Sequence, residues 1–448
     1  MYLLPAFSAI SSAGARVYYR LDRAGAAIPA TGPVLLVANH PNSLFDPALV
    51  AVAARRPVRF LAGSRTVAHP QIGWLIRAVG SIPVYRRIDD PSEVAKNVDT
   101  FRAATAALAE GAAIGIFPEG VSLDEPGLQP LRTGAARLAL SAVPSCGVVP
   151  IIPVGLVYRE RVRFRSEALV IVGKPVDWGE LAPGGVENAA AVRELTRRIE
   201  AALRAVTVNL ERWEDAPLVE GAVAIWDAEL GASPEPAHRI ERIRVATEGL
   251  ARVRREQSER WSALVGRVGS HVRALDLLAL EPRDLRDSPG AMVALRWTLR
   301  RLPRLAFAAV AWTLGAALFS LPYRLSGWLG AITAPKEAAK STHTMLYGAV
   351  VFALWVILLA TLVTVVFGWL PGLAALVMLP LWALAVAGAK DQWRDALHDI
   401  RRFLSLQRRR AVVRQLARDQ AELAAELDRV LAELTATPSA TPQVPLGR

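Results

Sequence analysis

Short, continuous apolar runs alternate with longer segments of helical periodicity over roughly the first two hundred residues. A continuous apolar run bounded by turn residues is typical of a buried strand, whereas apolar positions three and four apart are typical of a helix. Residues 20–32 are interpreted as a linker. The predicted strands are 34–38, 58–62, 80–86, 112–117, 148–157 and 168–172, and the predicted helices follow Pro47 and cover 70–79, 93–110, 133–142 and 187–206. This alternation predicts an α/β fold with a mainly parallel sheet flanked by helices.

Polar side chains follow three of the predicted strands at the point where each strand ends. His40 and Asp46 come after the first apolar run, Arg86 closes the third, and Glu119 comes directly after the fourth. In parallel α/β sheets, ligands bind beside the carboxyl ends of the strands. Three strand ends that carry polar side chains therefore predict one shared site at this edge of the sheet.

The stretch from Asn39 to Pro47 carries the most specific chemistry. A carboxylate at Asp46 would hold one imidazole nitrogen of His40 as N–H, so that the other nitrogen takes a proton from an incoming hydroxyl. In the alternative, His40 only bonds its own turn, and Asp46 only caps a helix that has Pro47 in its first position. The other polar strand ends favour the catalytic dyad.

A long uncharged segment lies in the second half of the chain, from Thr344 to Ala389. It is long enough for two membrane spans of about 20 residues each, and the turn-forming residues 368–372 divide it. We therefore predict a transmembrane hairpin at 344–389. Residues 305–323 are also uncharged, but basic residues flank both ends, which favours a re-entrant or in-plane segment over a true span.

The remaining segments are charged or amphipathic and predict helices. Apolar stripes predict a face that packs against a partner helix, and in the tail either a short coiled coil or a helix packed on the charged region. The stripes are Trp261, Val265, Val268, Val272 and Leu275, and then Leu416, Leu423, Leu427, Val430 and Leu434. The predicted organisation is a membrane-associated helix at 1–16, an α/β domain at 17–212, a charged helical region at 213–300, a membrane region at 301–390, a basic tail at 391–434 and a disordered end at 435–448.

The composition limits the classes of binding partner and of metal or disulfide site that the chain can have. The formal net charge of +12 indicates an acidic partner, and the basic residues gather beside apolar segments, which favours an anionic membrane and argues against nucleic acid. Cys146 is the only cysteine, which excludes an intrachain disulfide. The six histidines are scattered singly, so no metal site is predicted.

Four ordered blocks resemble those of the glycerolipid acyltransferases, which make lysophosphatidate and phosphatidate. The blocks are Asn39-His40-Pro41-Asn42-Ser43 with Asp46, then Gly80 to Arg86, then Phe117-Pro118-Glu119-Gly120, and then Val149 to Val154. The resemblance covers roughly residues 17 to 176. Four blocks in the right order are far more specific than any single block.

Two departures from the family pattern resemble the glycerol-3-phosphate acyltransferase branch known from fungal membranes. Five residues separate His40 from Asp46 where the family usually has four, and Val121-Ser122 replaces the usual Thr-Arg. That branch also shares a Ser, an Asp, a Leu-Pro-Leu-Lys-like run and a Gly-Ala helix, found here as Ser122, Asp124, residues 128–132 and residues 133–135. Leu123 stands where the branch commonly has histidine, so any role of that side chain is lost.

The resemblance implies transfer of an acyl group from a thioester to a hydroxyl of a phosphorylated glycerol. The thioester, on coenzyme A or an acyl carrier protein, is consumed as a co-substrate, and no metal or bound cofactor is required. His40 suits the role of base, because an alcohol is a poor nucleophile at neutral pH. Asp46 would fix the tautomer of His40.

The substrate-binding residues that we predict are Asn39, Arg86, Glu119, Gly120, Ser122 and Arg132. The guanidinium of Arg86 matches phosphate oxygens, and Arg132 is a second candidate for the same role. Glu119 would bond the glycerol hydroxyls, orient the two arginines or act only structurally, and Gly120 would allow close backbone approach.

The leading hypothesis is a membrane-bound enzyme that acylates glycerol-3-phosphate, with 1-acylglycerol-3-phosphate as the neighbouring acceptor. A remodelling enzyme that acts on another lysolipid is the second hypothesis. A lipid-binding scaffold on an inactive fold is the third, and the intact set of His40, Asp46, Arg86 and Glu119 argues against it. The catalytic half is expected on the cytoplasmic face, and an oligomer is expected to form, if at all, through the C-terminal helix.

Overall fold

The computed structural model describes residues 3–69, 73–122, 125–230, 236–286, 291–334 and 339–436. The chain divides into two compact units. The first comprises Met1–Val208 and Ala309–Lys390, and the second comprises Asn209–Ala308 and Asp391–Arg448. The predicted disordered end falls almost entirely outside the described residues.

The first unit is built on a seven-stranded sheet with the order β1-β7-β6-β2-β5-β3-β4. The strands are β1 (Tyr19–Gly25), β2 (Val34–Ala38), β3 (Val58–Gly63), β4 (Ile82–Val84), β5 (Ala113–Ile116), β6 (Ile151–Tyr158) and β7 (Ser166–Val172). Five of them, β2 to β6, run parallel to one another, while β7 is antiparallel to β6 and pairs in parallel with β1. The predicted mainly parallel α/β sheet is confirmed.

Helices cover the sheet. Strand β2 is buried along its whole length, as its uninterrupted apolar run predicts. The helices of this part of the chain are α1 (Leu3–Tyr18), α2 (Phe45–Ala54), α3 (Ser64–Val67), α4 (Gly73–Ala78), α5 (Asn97–Ala109), α6 (Gly134–Cys146) and α7 (Ala189–Arg204), with 3₁₀ turns at Pro91–Lys96 and Gly179–Gly184. The association of α1 with a membrane remains a prediction.

Two local predictions are wrong. The supposed linker at 20–32 begins with β1, which has no apolar run because it is an edge strand whose outward side chains are polar. Helix α2 begins at Phe45 with Leu44 in the capping position, so Asp46 is not the cap and Pro47 is not the first helical residue. The carboxylate of Asp46 is instead engaged by the preceding turn, as described below.

Three long helices complete this part of the chain: α11 (Ala291–Thr333), α12 (Lys340–Phe367) and α13 (Trp369–Arg408). Helix α11 continues through 305–323 without a break, and both the re-entrant and the in-plane arrangement of this segment in a membrane remain predictions. Gly368, at φ +95°, is the only residue between α12 and α13.

Contacts with α11 set the directions of the two apolar helices. Gly330 of α11 lies against Thr344, and Gly348 lies against Ser326, so α11 and α12 are antiparallel. Gly315 lies against Val386, and the indole Nε1 of Trp382 donates to the carbonyl of Ala311 at 3.3 Å, so α11 and α13 run in parallel. Helices α12 and α13 therefore form a helical hairpin.

This hairpin, which we call the apolar hairpin, consists of Lys340–Phe367 and Trp369–Ala389. Both helices are long and apolar enough to cross a membrane. Only 11% and 6% of their most apolar segments are buried within the protein, which distinguishes them from core helices of a water-soluble fold. Large apolar side chains such as Val365, at 79% exposed, and Phe367, at 71%, face outward.

The second unit is helical, with α8 (Ala216–Leu230), α9 (Pro236–Glu256), α10 (Ser258–Leu277) and α14 (Arg410–Ala436), and with 3₁₀ turns at Trp213–Asp215 and Pro282–Leu285. The chain breaks at Gln257, so α9 and α10 are separate helices, and the whole predicted stripe lies on α10. The buried stripe of α10 is rotated from the predicted one, because His271 replaces Val272 in the core and Val265 is exposed; its members are Leu264, Val268, His271 and Leu275.

Helix α14 packs against α8, α9 and α10 within the second unit. Four residues of its predicted stripe, Leu416, Leu423, Leu427 and Val430, are buried there, while the side chain of Leu434 lies outside the described residues. The stripe is thus used inside the unit, which favours the packed-helix alternative over the coiled coil. An oligomer formed through this helix remains a prediction.

Candidate active site

The polar residues singled out from the sequence lie at one edge of the sheet. Strands β2, β5, β3 and β4 are neighbours and parallel, so their carboxyl ends share this edge. His40 follows β2, Glu119 follows β5, and Arg86 follows β4. Hydrogen bonds join His40 to Glu119 and Arg86 to Gly120, the residue after Glu119.

His40 and Asp46 are in direct contact. The imidazole Nδ1 lies 2.8 Å from Oδ2 of Asp46. A carboxylate only accepts hydrogen bonds, so Nδ1 carries the proton and Nε2 is left as a proton acceptor. Among the described residues, none makes a hydrogen bond to Nε2. The ring stacks on Phe117, with the ring centres 4.1 Å apart, and its side chain is 19% exposed.

The carboxylate of Asp46 is fully buried and receives three hydrogen bonds. Besides His40, the backbone N–H of Asn42 donates to Oδ2 at 2.6 Å, and the hydroxyl of Tyr158 donates to Oδ1 at 2.6 Å. A buried carboxylate with several donors is held in one orientation. This arrangement explains why Asp46 does not cap its helix.

Glu119 holds the His40 turn in place. Its Oε1 accepts the backbone N–H of His40 at 2.8 Å, and its Oε2 accepts the backbone N–H of Gln129 at 3.1 Å. Burial raises the pKa of this carboxyl above its usual range, although the two N–H donors oppose the shift. In the part of the chain that the structure describes, no ion pair joins Glu119 to Arg86 or Arg132, so the contacts match the structural alternative.

Arg86 is oriented by other groups. Its Nε donates to Oδ2 of Asp89 at 2.6 Å, and Nη1 donates to the carbonyl oxygen of Gly120 at 2.8 Å. The guanidinium lies against Gly63 at the end of β3, so close that a Cβ there would come within 2.9 Å of Cζ. The side chain remains 29% exposed, which leaves part of the planar fork open to a ligand.

The loop after β5 brings further predicted residues to this edge. Gly120 has φ +77°, a conformation that favours glycine, and the Cγ atom of Arg132 lies beside it. Arg132 is exposed, and none of the described residues is seen to bond its guanidinium. The hydroxyl of Ser122 accepts the backbone N–H of Ser43 at 3.1 Å, which ties this loop to the His40 turn. Leu123 and Asp124 lie outside the described residues.

Asn39 joins the end of β2 to β6. Its Nδ2 donates to the carbonyl oxygen of Leu156 at 3.0 Å, and its Oδ1 accepts the N–H of Leu156 at 2.8 Å. The amide thus extends the backbone pairing of the sheet by one position. These contacts are structural, and substrate binding by Asn39 remains a prediction.

Sequence reasoning missed Tyr158, Asp89 and the side-chain role of Asn42. Burial raises the pKa of Tyr158 well above its usual value, so the phenol stays protonated and donates to Asp46. The sequence did contain a sign of this role, because Tyr158 directly follows the predicted strand 148–157 and so lies at the same edge of the sheet. The i,i+3 spacing of Arg86 and Asp89 was also visible. Within the described ranges, no cluster of three His, Cys, Asp or Glu could hold a metal ion.

Residues 22–157 match the family model described as Acyltransferase. Glycerol-3-phosphate O-acyltransferase 2 of Saccharomyces cerevisiae is 31% identical over 152 residues, which are 33% of this chain and 20% of the yeast protein. Glycerol-3-phosphate O-acyltransferase 1 of the same yeast is 36% identical over 120 residues, which are 25% of this chain and 16% of that protein. This chain therefore spans about a fifth of the length of the curated relatives it matches.

One solved structure also aligns with the chain. It is the 1-acyl-sn-glycerophosphate (LPA) acyltransferase PlsC of Thermotoga maritima, at 20% sequence identity and a TM-score of 0.33. The alignment covers 46% of this chain and 78% of that protein.

Proposed function

We propose that residues 22–157, which match the family model described as Acyltransferase, form an acyltransferase domain, and that this chain transfers a fatty acyl group from a thioester to glycerol-3-phosphate. The resemblance read from the sequence blocks agrees with both yeast relatives, which are named as glycerol-3-phosphate O-acyltransferases. The observation that carries the proposal is the geometry of His40. Its Nδ1 is fixed by Asp46 at 2.8 Å, while its Nε2 is open at the edge that also presents Arg86.

The proton and electron movements suit acyl transfer. Nε2 of His40 takes the proton of the acceptor hydroxyl as the oxygen attacks the thioester carbonyl carbon. The new C–O ester bond forms, the C–S bond breaks, and the departing thiolate takes the proton from the imidazolium. Asp46 stabilises the imidazolium during this step, and its buried, triply hydrogen-bonded carboxylate needs no reorganisation.

The phosphate of the acceptor would bind at Arg86 and Arg132. The guanidinium of Arg86 is held by Asp89 and by the carbonyl of Gly120, so it is oriented before substrate arrives. Arg132 adds an exposed positive charge beside Gly120. Together they would neutralise a dianionic group, which favours a phosphorylated acceptor over an uncharged alcohol.

The protein would act at a membrane surface with its sheet on the cytoplasmic side. The apolar hairpin would anchor it, and the net charge of +12 would attract anionic lipid headgroups. The donor would be a thioester of coenzyme A or of an acyl carrier protein. Product ester would then remain in the membrane as lysophosphatidate.

An acyl-transfer assay tests this function. Membranes that contain the wild type or His40→Ala receive labelled acyl thioester with glycerol-3-phosphate, 1-acylglycerol-3-phosphate or a lysolipid without a phosphomonoester. We expect ester formation by the wild type with glycerol-3-phosphate, and a loss of about a thousandfold or more in His40→Ala. His398→Ala, which removes an exposed histidine from α13, serves as the matched control and should retain wild-type activity.

Each outcome has a clear meaning. Equal activity of the wild type and His40→Ala would remove His40 from catalysis. A preference for 1-acylglycerol-3-phosphate would mean that the natural acceptor already carries one acyl chain. Activity only with the lysolipid that lacks a phosphomonoester would overturn the role of Arg86, and no activity with any acceptor would favour a lipid-binding scaffold.

A further inference from the structure

The turn between β2 and α2 is strained. Ser43, which precedes Asp46 by three residues, has φ +45°, a left-handed conformation that is uncommon for a residue other than glycine. Strained turns persist when surrounding groups fix them, and they are frequent at functional sites. The question is therefore which groups hold this turn in the shape that presents Asp46 to His40.

Asn42 holds the turn from inside the protein. Its backbone N–H donates to Oδ2 of Asp46 at 2.6 Å, the same oxygen that meets Nδ1 of His40. Its side chain is 1% exposed, so both ends of its amide need partners within the protein. The orientation of the Asn42 peptide thus depends on how its side chain is anchored.

Two hydroxyl groups anchor that amide. Nδ2 of Asn42 donates to the hydroxyl oxygen of Tyr19 at 2.7 Å, and the hydroxyl of Tyr19 donates in turn to the carbonyl of Arg161. Oδ1 of Asn42 accepts a hydrogen bond from Ser341. Tyr19 begins β1, whereas Ser341 lies 299 residues after Asn42, in the first turn of α12.

The first turn of α12 is docked firmly enough to serve as an anchor. Ser341 and Thr342 are 1% and 3% exposed, in contrast to the exposed apolar residues later in the same helix. One turn further on, Met345 packs against the core cluster of the sheet, and its sulfur lies close to Gly14 of α1. This turn is therefore part of the first unit's core.

On the basis of the proposed function, we propose that Ser341 is a positioning residue of the catalytic dyad, through which the apolar hairpin holds the Asn42 peptide that orients Asp46 toward His40. The active site is then complete only when the helix that enters the membrane is seated on the sheet. Loss of the Ser341 hydroxyl leaves Oδ1 of Asn42 buried without a partner, so the amide reorients and the turn loosens.

The test compares Ser341→Ala with a matched serine on the neighbouring helix. We expect kcat to fall about tenfold in Ser341→Ala while the KM values of both substrates change less than about twofold. Ser341→Thr keeps a hydroxyl and should restore much of the rate. Ser326→Ala is the control, because Ser326 is 4% exposed and its hydroxyl donates to the carbonyl of Pro322 in its own helix, with no other partner among the described residues.

Hydrogen exchange gives a readout that does not depend on activity. In detergent-solubilised full-length protein, the amide protons of residues 39–46 should exchange about tenfold faster in Ser341→Ala and at the wild-type rate in Ser326→Ala. If the alanine variant does not fold, Ser341→Cys replaces it in the same measurements. Cysteine keeps about the same side-chain volume, but its thiol is a weak hydrogen-bond donor.

The outcomes separate the two proposals. Unchanged exchange and unchanged kcat in Ser341→Ala would overturn the positioning role, as would an equal loss of kcat in Ser326→Ala. Accelerated exchange confined to residues 39–46, in a protein whose wild type acylates no acceptor, would retain the structural link and overturn the proposed function instead.

Discussion

The two halves of the candidate site are built differently. The dyad half comprises the buried residues Asn42 and Asp46 and the half-buried residues His40 and Tyr158, and within the described ranges Nε2 of His40 has no hydrogen-bond partner. The acceptor half, which comprises Arg86, Gly120, Ser122 and Arg132, is more exposed, and no described residue bonds the guanidinium of Arg132. For the proposed acyl transfer, the groups of the dyad half are thus already in position, while the positive charge of the arginines is left available to a phosphorylated substrate.

This difference indicates what each half contributes to the rate. A group that only stabilises the transition state lowers kcat when it is removed, whereas a group that binds substrate and transition state equally raises KM. We therefore expect changes in the dyad half to appear in kcat and changes in the acceptor half to appear in the KM of the phosphorylated acceptor.

Asp46→Asn should reduce kcat by about 10³- to 10⁴-fold with little change in either KM. Asparagine has one acceptor oxygen and a donor NH₂ group, so it cannot accept from His40, Asn42 and Tyr158 together. Initial rates over a range of both substrates measure the effect. Asp99→Asn on the exposed face of α5 is the control, and a loss of less than tenfold in Asp46→Asn would break the distinction between the halves.

Arg86→Lys should raise the KM of glycerol-3-phosphate by about ten- to a hundredfold and leave the KM of the thioester unchanged. Lysine keeps the charge but loses the planar fork that bonds Asp89 and Gly120 while facing the ligand. The exposed neighbour provides the comparison, since Arg87→Lys should behave as wild type. A fall in kcat at constant acceptor KM would assign Arg86 to the dyad half.

Gly63→Ala should raise the same KM by roughly fivefold, which corresponds to about 1 kcal/mol. The new methyl group would come within 2.9 Å of the Arg86 guanidinium and displace it, although the backbone of Gly63, at φ −55°, accepts alanine without strain. Gly179→Ala adds a methyl group where no atom lies within 4 Å, and it should change nothing. An unchanged KM in Gly63→Ala would show that the position of the guanidinium is not critical.

Glu119 joins the two halves, and its titration predicts a small effect on stability. Burial raises its pKa in the folded protein above the ordinary value of 4.5, so the folded state holds the proton more tightly than the unfolded state does. The carboxyl group's contribution to the free energy of unfolding should therefore decrease as pH rises above about 4.5. Unfolding of the wild type and Glu119→Gln, compared across this pH range, measures the difference.

The direction in which the difference in unfolding free energy between the two proteins changes with pH tests this prediction. Relative to Glu119→Gln, the wild type should become less stable as pH increases through the window, until the folded carboxyl is fully ionised. A constant difference between the two proteins would mean that the pKa of Glu119 is the same in the folded and unfolded states. An increasing difference in favour of the wild type would mean that the two N–H donors outweigh burial.

Much of this site was readable from the chain because its residues follow buried strands. The apolar run of β2, the turn after it and the polar residues after β4 and β5 predicted both the sheet and the edge at which His40, Glu119 and Arg86 lie. A prediction from the local sequence was wrong where a side chain makes other hydrogen bonds than the local pattern suggests. The sequence of Asp46-Pro47 predicted a cap, but that carboxylate accepts hydrogen bonds from the preceding turn and from the distant Tyr158.

The remaining misses have physical causes of two kinds. Strand β1 is an edge strand, so only one of its long sides pairs and its sequence carries no apolar run. The bond from Ser341 to Asn42 joins residues 299 apart, and no periodicity or motif links a serine before an apolar helix to a turn at the start of the domain. Such a contact becomes visible only when the helix is placed on the sheet.

The central claim is that both halves of the site bind one acceptor molecule at the same time. An experimental structure of the full-length protein with glycerol-3-phosphate tests it most directly. We expect a phosphate oxygen within about 3 Å of the Arg86 guanidinium and a glycerol hydroxyl within about 3 Å of Nε2 of His40. A phosphate bound away from Arg86, or a hydroxyl beyond reach of Nε2 in a molecule held by Arg86, would contradict it.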